Sequence, residues 1–198
     1  MNSTPPRQGL DNAAWVTIPN KLQSQELFKF CKDVERVFRL NPYLKIKSWS
    51  SQENQKIQVC WENHSSHHVF LVDTQISVVS NQQEIIVTYH TGPKKQTIFS
   101  INTSAEGSEL IIIDDYGEST HTSYAEIDKS LNAWGESLMQ FFNHYAVMRH
   151  VPFVTMLIDK VWIRMNPMAR RITYILFVIT AVELVILLLF VIAMLIKS

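Results

Sequence analysis

The chain has 198 residues, enough for one domain with appendages, and its 18 acidic and 18 basic side chains cancel. That balance, with no basic stripe interleaved with aromatics, argues against a nucleic-acid partner. The two cysteines, Cys31 and Cys60, give neither a disulfide framework nor a metal-ligand spacing and are expected as reduced thiols.

Residues 1–12 read as a disordered leader, polar and without the apolar stretch of a secretory signal. The sequons that begin at Asn2, Asn63 and Asn102 carry no meaning for a domain on the cytoplasmic side. Trp15 to Ile18 is a short extended segment stopped by Pro19. Asn20 with Gln23 three residues on resembles a capping box. Leu27, Cys31, Val34 and Phe38 then recur at helical spacing, and this helix ends before Asn41-Pro42, since a residue preceding proline resists the α region.

A strand-rich block follows. The segments are Leu44 to Trp49, Lys56 to Glu62, Val69 to Val79, Glu84 to His90, Gln96 to Asn102 and Glu109 to Tyr116. Alternation puts Ile57, Val59 and Trp61 on one face, and likewise Ile85, Val87 and Tyr89. Six strands with short polar connections predict an antiparallel meander. The period then changes: Tyr124, Ile127, Leu131, Trp134, Leu138, Phe141, Tyr145 and Met148 form one apolar stripe on a long helix. Beyond Pro152, the residues Val154, Leu157, Ile158, Val161, Trp162 and Met165 continue a second amphipathic stretch, read as a stalk or interfacial helix. The expected units are therefore a leader (1–12), a domain (13–150), a stalk (151–168) and a membrane span (172–196).

The span is Ile172 to Ile196, where eighteen of 25 residues are Leu, Ile, Val or Phe. Their insertion free energy sums to about −8 kcal/mol. The single charge, Glu183, costs back ~3 kcal/mol near mid-membrane. Lys160, Arg164, Arg170 and Arg171 precede the span and only Lys197 follows it. The excess of basic residues on the amino-terminal flank predicts a cytoplasmic domain on a single-pass tail anchor.

The order strand, helix, meander, long helix, together with the segment Val34-Glu35-Arg36-Val37-Phe38-Arg39-Leu40-Asn41-Pro42-Tyr43-Leu44, resembles the SRPBCC superfamily. This helix-grip superfamily includes START domains, polyketide cyclases and coenzyme Q-binding proteins. The resemblance is one of pattern and runs from Trp15 to about Met148. It implies an α+β fold in which a curved antiparallel sheet wraps the long helix and leaves a hydrophobic cavity between them. The residues fit that geometry: a stripe bearing Trp134, Phe141 and Tyr145 needs an apolar concave partner, and the meander supplies Trp61, Tyr89 and Phe99. Whether these aromatics fill a solid core or line a cavity is open at this stage. The cavity candidates are Trp61, Tyr89, Phe99, Tyr116, Trp134, Leu138, Phe141 and Tyr145.

No catalytic set stands out. His64, His67 and His68 sit in a polar turn, where a solvated hairpin is expected and not a metal site. Asp114 and Asp115 are neighbours in a strand and point to opposite faces, so they cannot share a proton. His90, Tyr116 and Glu118 lie at strand ends near the expected cavity mouth. No glycine-rich phosphate loop exists, and no metal or other cofactor is expected. Glu183 shares a helix face with Thr173 and Thr180. It is either a tolerated carboxyl or the contact for a partner helix, in a homo-oligomer or with another membrane protein.

Three functions follow as expectations. The first is a membrane-anchored module that binds a hydrophobic small molecule (a lipid, quinone or isoprenoid) at the bilayer surface. The second is an accessory or scaffold subunit of a membrane complex. The third is an enzyme of the cyclase or dehydratase kind.

Overall fold

The computed structural model describes residues 10, 12–52, 56–66, 69–104, 107–117, 124–148 and 151–197. Its strands are β1 (Ala13–Asn20), β2 (Leu44–Ser51), β3 (Lys56–Asn63), β4 (Phe70–Ser80), β5 (Glu84–Tyr89), β6 (Gln96–Ser104) and β7 (Gly107–Asp115). They form one antiparallel sheet in the order β1-β7-β6-β5-β4-β3-β2. The meander expected from alternation is present, and β1 extends it by pairing along its whole length with β7. Pro19 does not stop β1, contrary to expectation. It sits on an edge strand, where a missing N–H can be tolerated.

Alternating residues build the concave core: Val59 and Trp61, Ile85 and Val87, Phe99 and Ile101, Leu110 and Ile112 are all buried on it. The unbroken Leu-Ile-Ile-Ile run of β7 has a second explanation. Ile111 and Ile113 face the other side, where with Ile98 they pack against Leu10, Trp15 and Ile86. A strand covered on both faces needs no polar alternation.

The helix expected through Leu27 and Phe38 is two helices, α1 (Ser24–Lys32) and α2 (Val34–Arg39). Asp33 makes the break: its ψ is 82°, and its carboxylate accepts the Arg36 N–H at 3.2 Å, so one residue ends α1 and caps α2. All four residues of the expected apolar face are nevertheless buried. The capping box also lies further along than expected. Gln23 precedes α1, and its N–H donates to the Glu26 carboxylate at 3.3 Å. The Asn20 side chain instead accepts the Leu22 N–H at 2.9 Å and the Ser108 hydroxyl at 3.1 Å, tying the end of β1 to the start of β7. Gly107 permits this approach: a Cβ there would lie 2.4 Å from the Asn20 carbonyl oxygen, and its φ is +148°.

The long helix α3 (Tyr124–Met148) lies against the concave face. Its buried line runs through Leu131, Trp134, Leu138 and Phe142, not Phe141, which is only half-buried. Gly135 lets α3 settle on β1, because a Cβ at that position would lie 2.7 Å from a Val16 methyl.

The segment expected as one amphipathic helix is a short helix α4 (Pro152–Leu157), a π turn (Ile158–Trp162) and a bend. It folds back on the domain. Ile163 is 2% exposed and Ile158 packs on the core. Asp159 pairs with Arg36, whose guanidinium lies 4.0 Å from the centre of the Phe30 ring. Asn166 then starts α5 (Pro167–Lys197) by accepting the Ala169 N–H at 2.8 Å. At 31 residues, α5 is about 46 Å long. Pro167–Ile196 is long and apolar enough to cross a membrane, and every residue from Tyr174 to Ile196 is exposed.

Candidate functional site

Phe38 occupies the centre of the concave core. Its ring centroid lies 5.2 Å from that of Trp134, 5.8 Å from Trp61 and 6.2 Å from Phe99. Helix α3 is held there by polar contacts to the end of α2, where the carbonyls lack i+4 partners and Val37 is left with only the long 3.2 Å contact from the Leu40 N–H. The Trp134 indole N–H donates to the Val37 carbonyl at 3.1 Å, and the Ser137 hydroxyl donates to the Leu40 carbonyl at 2.9 Å.

Beside this packing lies a cavity of about 90 Å³. Phe38, Leu44, Trp61, Val72 and Trp134 form its apolar part. Asn41, Asn63, Ser65, Thr91, Lys94, Tyr116 and Ser130 add polar groups around it. Tyr89 joins the two, since its ring packs edge-on to Trp61 at 6.4 Å while its hydroxyl meets Thr97 at 2.9 Å.

That hydroxyl begins a chain of polar contacts. Thr97 spends its only proton on Asp114, at 2.5 Å, so the Tyr89 hydroxyl is the donor to Thr97. The other Asp114 oxygen receives Lys94 Nζ at 2.5 Å. Asp114 is 1% exposed and Lys94 28%, so the pair runs from the interior to the cavity mouth. Burial, and next the charge of Asp114, push the Tyr89 phenol well above its ordinary value, which keeps it a neutral donor. Asp115 points the other way, as strand alternation requires, and accepts Gln96 Nε2 at 3.0 Å and the Gly117 N–H at 2.9 Å.

Four of the eight cavity candidates, Trp61, Tyr89, Tyr116 and Trp134, come together in the lining. Phe99 and Leu138 are fully buried in the core and do not face the cavity. Phe141 and Tyr145 stack on each other at 5.5 Å in a separate aromatic group with Phe30, on which Arg36 lies. Sequence reasoning did not single out Phe38, Leu44, Thr91 or Lys94 as lining residues. The signals were present: Phe38 closes the apolar helical stripe three residues before Asn41-Pro42, and Thr91 and Lys94 flank Gly92-Pro93.

Of the remaining polar candidates, His90 and His64 are not among the walls of the cavity. His90 is exposed and meets the Ser77 hydroxyl at 3.0 Å, and His64 lies 3.4 Å from Glu62. His67, His68 and Glu118 lie outside the described residues. Among the described residues, no three His, Cys, Asp or Glu side chains are grouped to hold a metal. Cys31 is buried, and burial raises its thiol well above the ordinary range despite the nearby Arg36 charge, so it is a neutral core side chain and not a nucleophile.

No protein-family model matches the sequence, and no curated protein sequence matches it. Solved structures do match the fold. The Zhui aromatase/cyclase from Streptomyces is similar with a TM-score of 0.52 at 9% identity, over 71% of this chain and 96% of that one. Protein CV1439 from Chromobacterium violaceum is similar with a TM-score of 0.51 at 9% identity, over 66% of this chain and 97% of that one. At such identities the likeness is one of fold: the curved antiparallel sheet closed over a long helix is the helix-grip architecture.

Proposed function

We propose that this chain is a membrane-anchored module that binds a small hydrophobic molecule at the cytoplasmic face of the bilayer. One observation carries the reading: an aromatic cavity between sheet and helix, two of whose walls, Tyr89 and Lys94, are joined through the buried Thr97 and Asp114. Each of these four side chains is engaged by another, which fixes the polar side of the cavity in place. Helix α5 supports the anchoring part of the reading, and the basic flank before it supports the orientation. The test is solvent extraction of the full chain, purified from membranes, followed by mass spectrometry. A stoichiometric apolar compound is expected. Its absence, together with no saturable change in tryptophan fluorescence on adding apolar compounds, would overturn the reading.

Glu183 favours a second reading, an accessory subunit of a membrane complex. It is exposed on α5 among apolar side chains. A carboxyl at that depth is stabilised by a partner helix that offers a donor.

A further inference from the structure

A second cavity, of about 180 Å³, lies where the domain meets the start of α5. Arg39, Leu44, Ile46, Arg164 and Met165 are among its walls. Leu44, which is buried, is also a wall of the aromatic cavity, so the two spaces border the same residue.

The charges around the second cavity do not balance. Arg39 holds Glu35 through Nε and one terminal nitrogen, at 2.8 and 2.7 Å, and its other terminal nitrogen reaches the Arg164 carbonyl at a long 3.4 Å, the one contact an anion would replace. Arg164 is exposed, and among the described residues it has no carboxylate partner. Arg170 donates to the Arg39 backbone carbonyl and likewise has no carboxylate partner among the described residues. Two arginines of this segment, Arg164 on the cavity wall and Arg170 one turn into α5, therefore carry charges that no described carboxylate offsets, beside the start of the apolar helix. The aromatic cavity behind Leu44 is smaller than the ~150 Å³ apolar cavity that takes benzene, so it has room for the end of one narrow chain and not for a ring system.

We propose that the ligand is a single-chain anionic amphiphile taken from the membrane. Its carboxylate or phosphate head sits between Arg39 and Arg164, and its chain passes Leu44 to end against Phe38, Trp61 and Trp134. This rests on the ligand-binding reading above and names its ligand class and route.

The test uses the full chain in phosphatidylcholine nanodiscs. The probe is a fatty acid brominated near its terminal methyl, which quenches tryptophan on contact; the matching brominated alcohol reports the bilayer background. Saturable quenching by the acid beyond that of the alcohol is expected. Arg164→Gln should weaken the acid's apparent binding about tenfold, the loss of one charge-assisted contact. Leu44→Phe should lower the maximal quenching, because it narrows the passage. Probe preloaded in the protein's own nanodisc should act faster than probe supplied in separate discs; equal rates would mean entry from water and would sink the membrane route. Equal binding of acid and alcohol, unchanged by Arg164→Gln, would overturn the head site while leaving the cavity reading intact. No saturable quenching by either probe, with no co-purified apolar compound, would remove the cavity reading as well.

Discussion

The indole N–H of Trp134 on α3 donates to the carbonyl of Val37 on α2 across 97 positions of sequence, at 3.1 Å. With the Ser137 hydroxyl on the Leu40 carbonyl, this contact joins the long helix to the element that carries Phe38 into the cavity wall. Trp134→Phe keeps most of the buried ring and leaves the Val37 carbonyl without that donor. It should cost about 1–2 kcal/mol in urea unfolding, against ~3–5 kcal/mol for Trp134→Ala. Equal losses for the two variants would show that the hydrogen bond contributes nothing.

Lys94 and Asp114 should respond unequally to removal. Lys94→Met leaves a carboxylate that is 1% exposed with only Thr97 as a partner, whereas Asp114→Asn leaves a lysine whose tip can turn to water. Expected losses are about 2–3 kcal/mol for Lys94→Met and about 1–2 kcal/mol for Asp114→Asn, below the range for fully buried pairs because Lys94 is partly solvated. The double variant should lose less than the two single losses added together, and a strictly additive cycle would show that the pair is uncoupled.

Gly135→Ala tests how closely α3 lies on β1. Alanine gains about 1 kcal/mol in helix propensity. Against that stands a 2.7 Å approach to Val16, and overpacking of this kind costs ~1–3 kcal/mol. A net loss in thermal stability is expected, relieved when Val16→Ala is added. Stabilisation by Gly135→Ala alone would mean that β1 moves aside freely.

Glu62 sets an acid-side dependence. Hydrogen bonding from Lys47, 2.7 Å away, together with Lys45, holds its carboxyl down at about 2, from an ordinary 4.5. A folded-state value below the unfolded one stabilises the fold above pH ~4.5, and that contribution is lost as the pH falls toward ~2. Glu62→Gln should therefore flatten the stability profile between those limits and leave its slope near pH 7 unchanged. Because the group is solvated, added salt should shrink the difference between the two proteins. A wild-type acid limb that the substitution does not alter would place the titration elsewhere.

Glu183→Leu should improve membrane insertion and weaken assembly. Interhelical polar contacts are worth only ~0.6–2 kcal/mol, so crosslinked species in native membranes should diminish and not vanish. An unchanged crosslinking pattern would make Glu183 a tolerated passenger.

Much of this architecture is legible in one dimension. A period of two in β3 and β5 and a period near 3.6 in α3 each arise from local backbone geometry, so Trp61, Val87 and Trp134 declare their burial without reference to the rest of the chain. The apolar run of α5 is equally local. Other features depend on what meets what. Phe141 and Phe142 both border the α3 stripe, and packing in the core decides that Phe142 is the one fully buried. The break at Asp33 is invisible to periodicity, because Leu27, Cys31, Val34 and Phe38 are all buried on either side of it. Lys94 belongs to a connection with no period at all, and Arg164 to a bend that folds back on the domain. Their placement is set by Asp114, twenty residues from Lys94, and by Arg39, 125 residues from Arg164. Sequence periodicity reports which side of an element avoids water, whereas a cavity forms where non-adjacent elements fail to fill the space between them, and only the assembled fold determines that space.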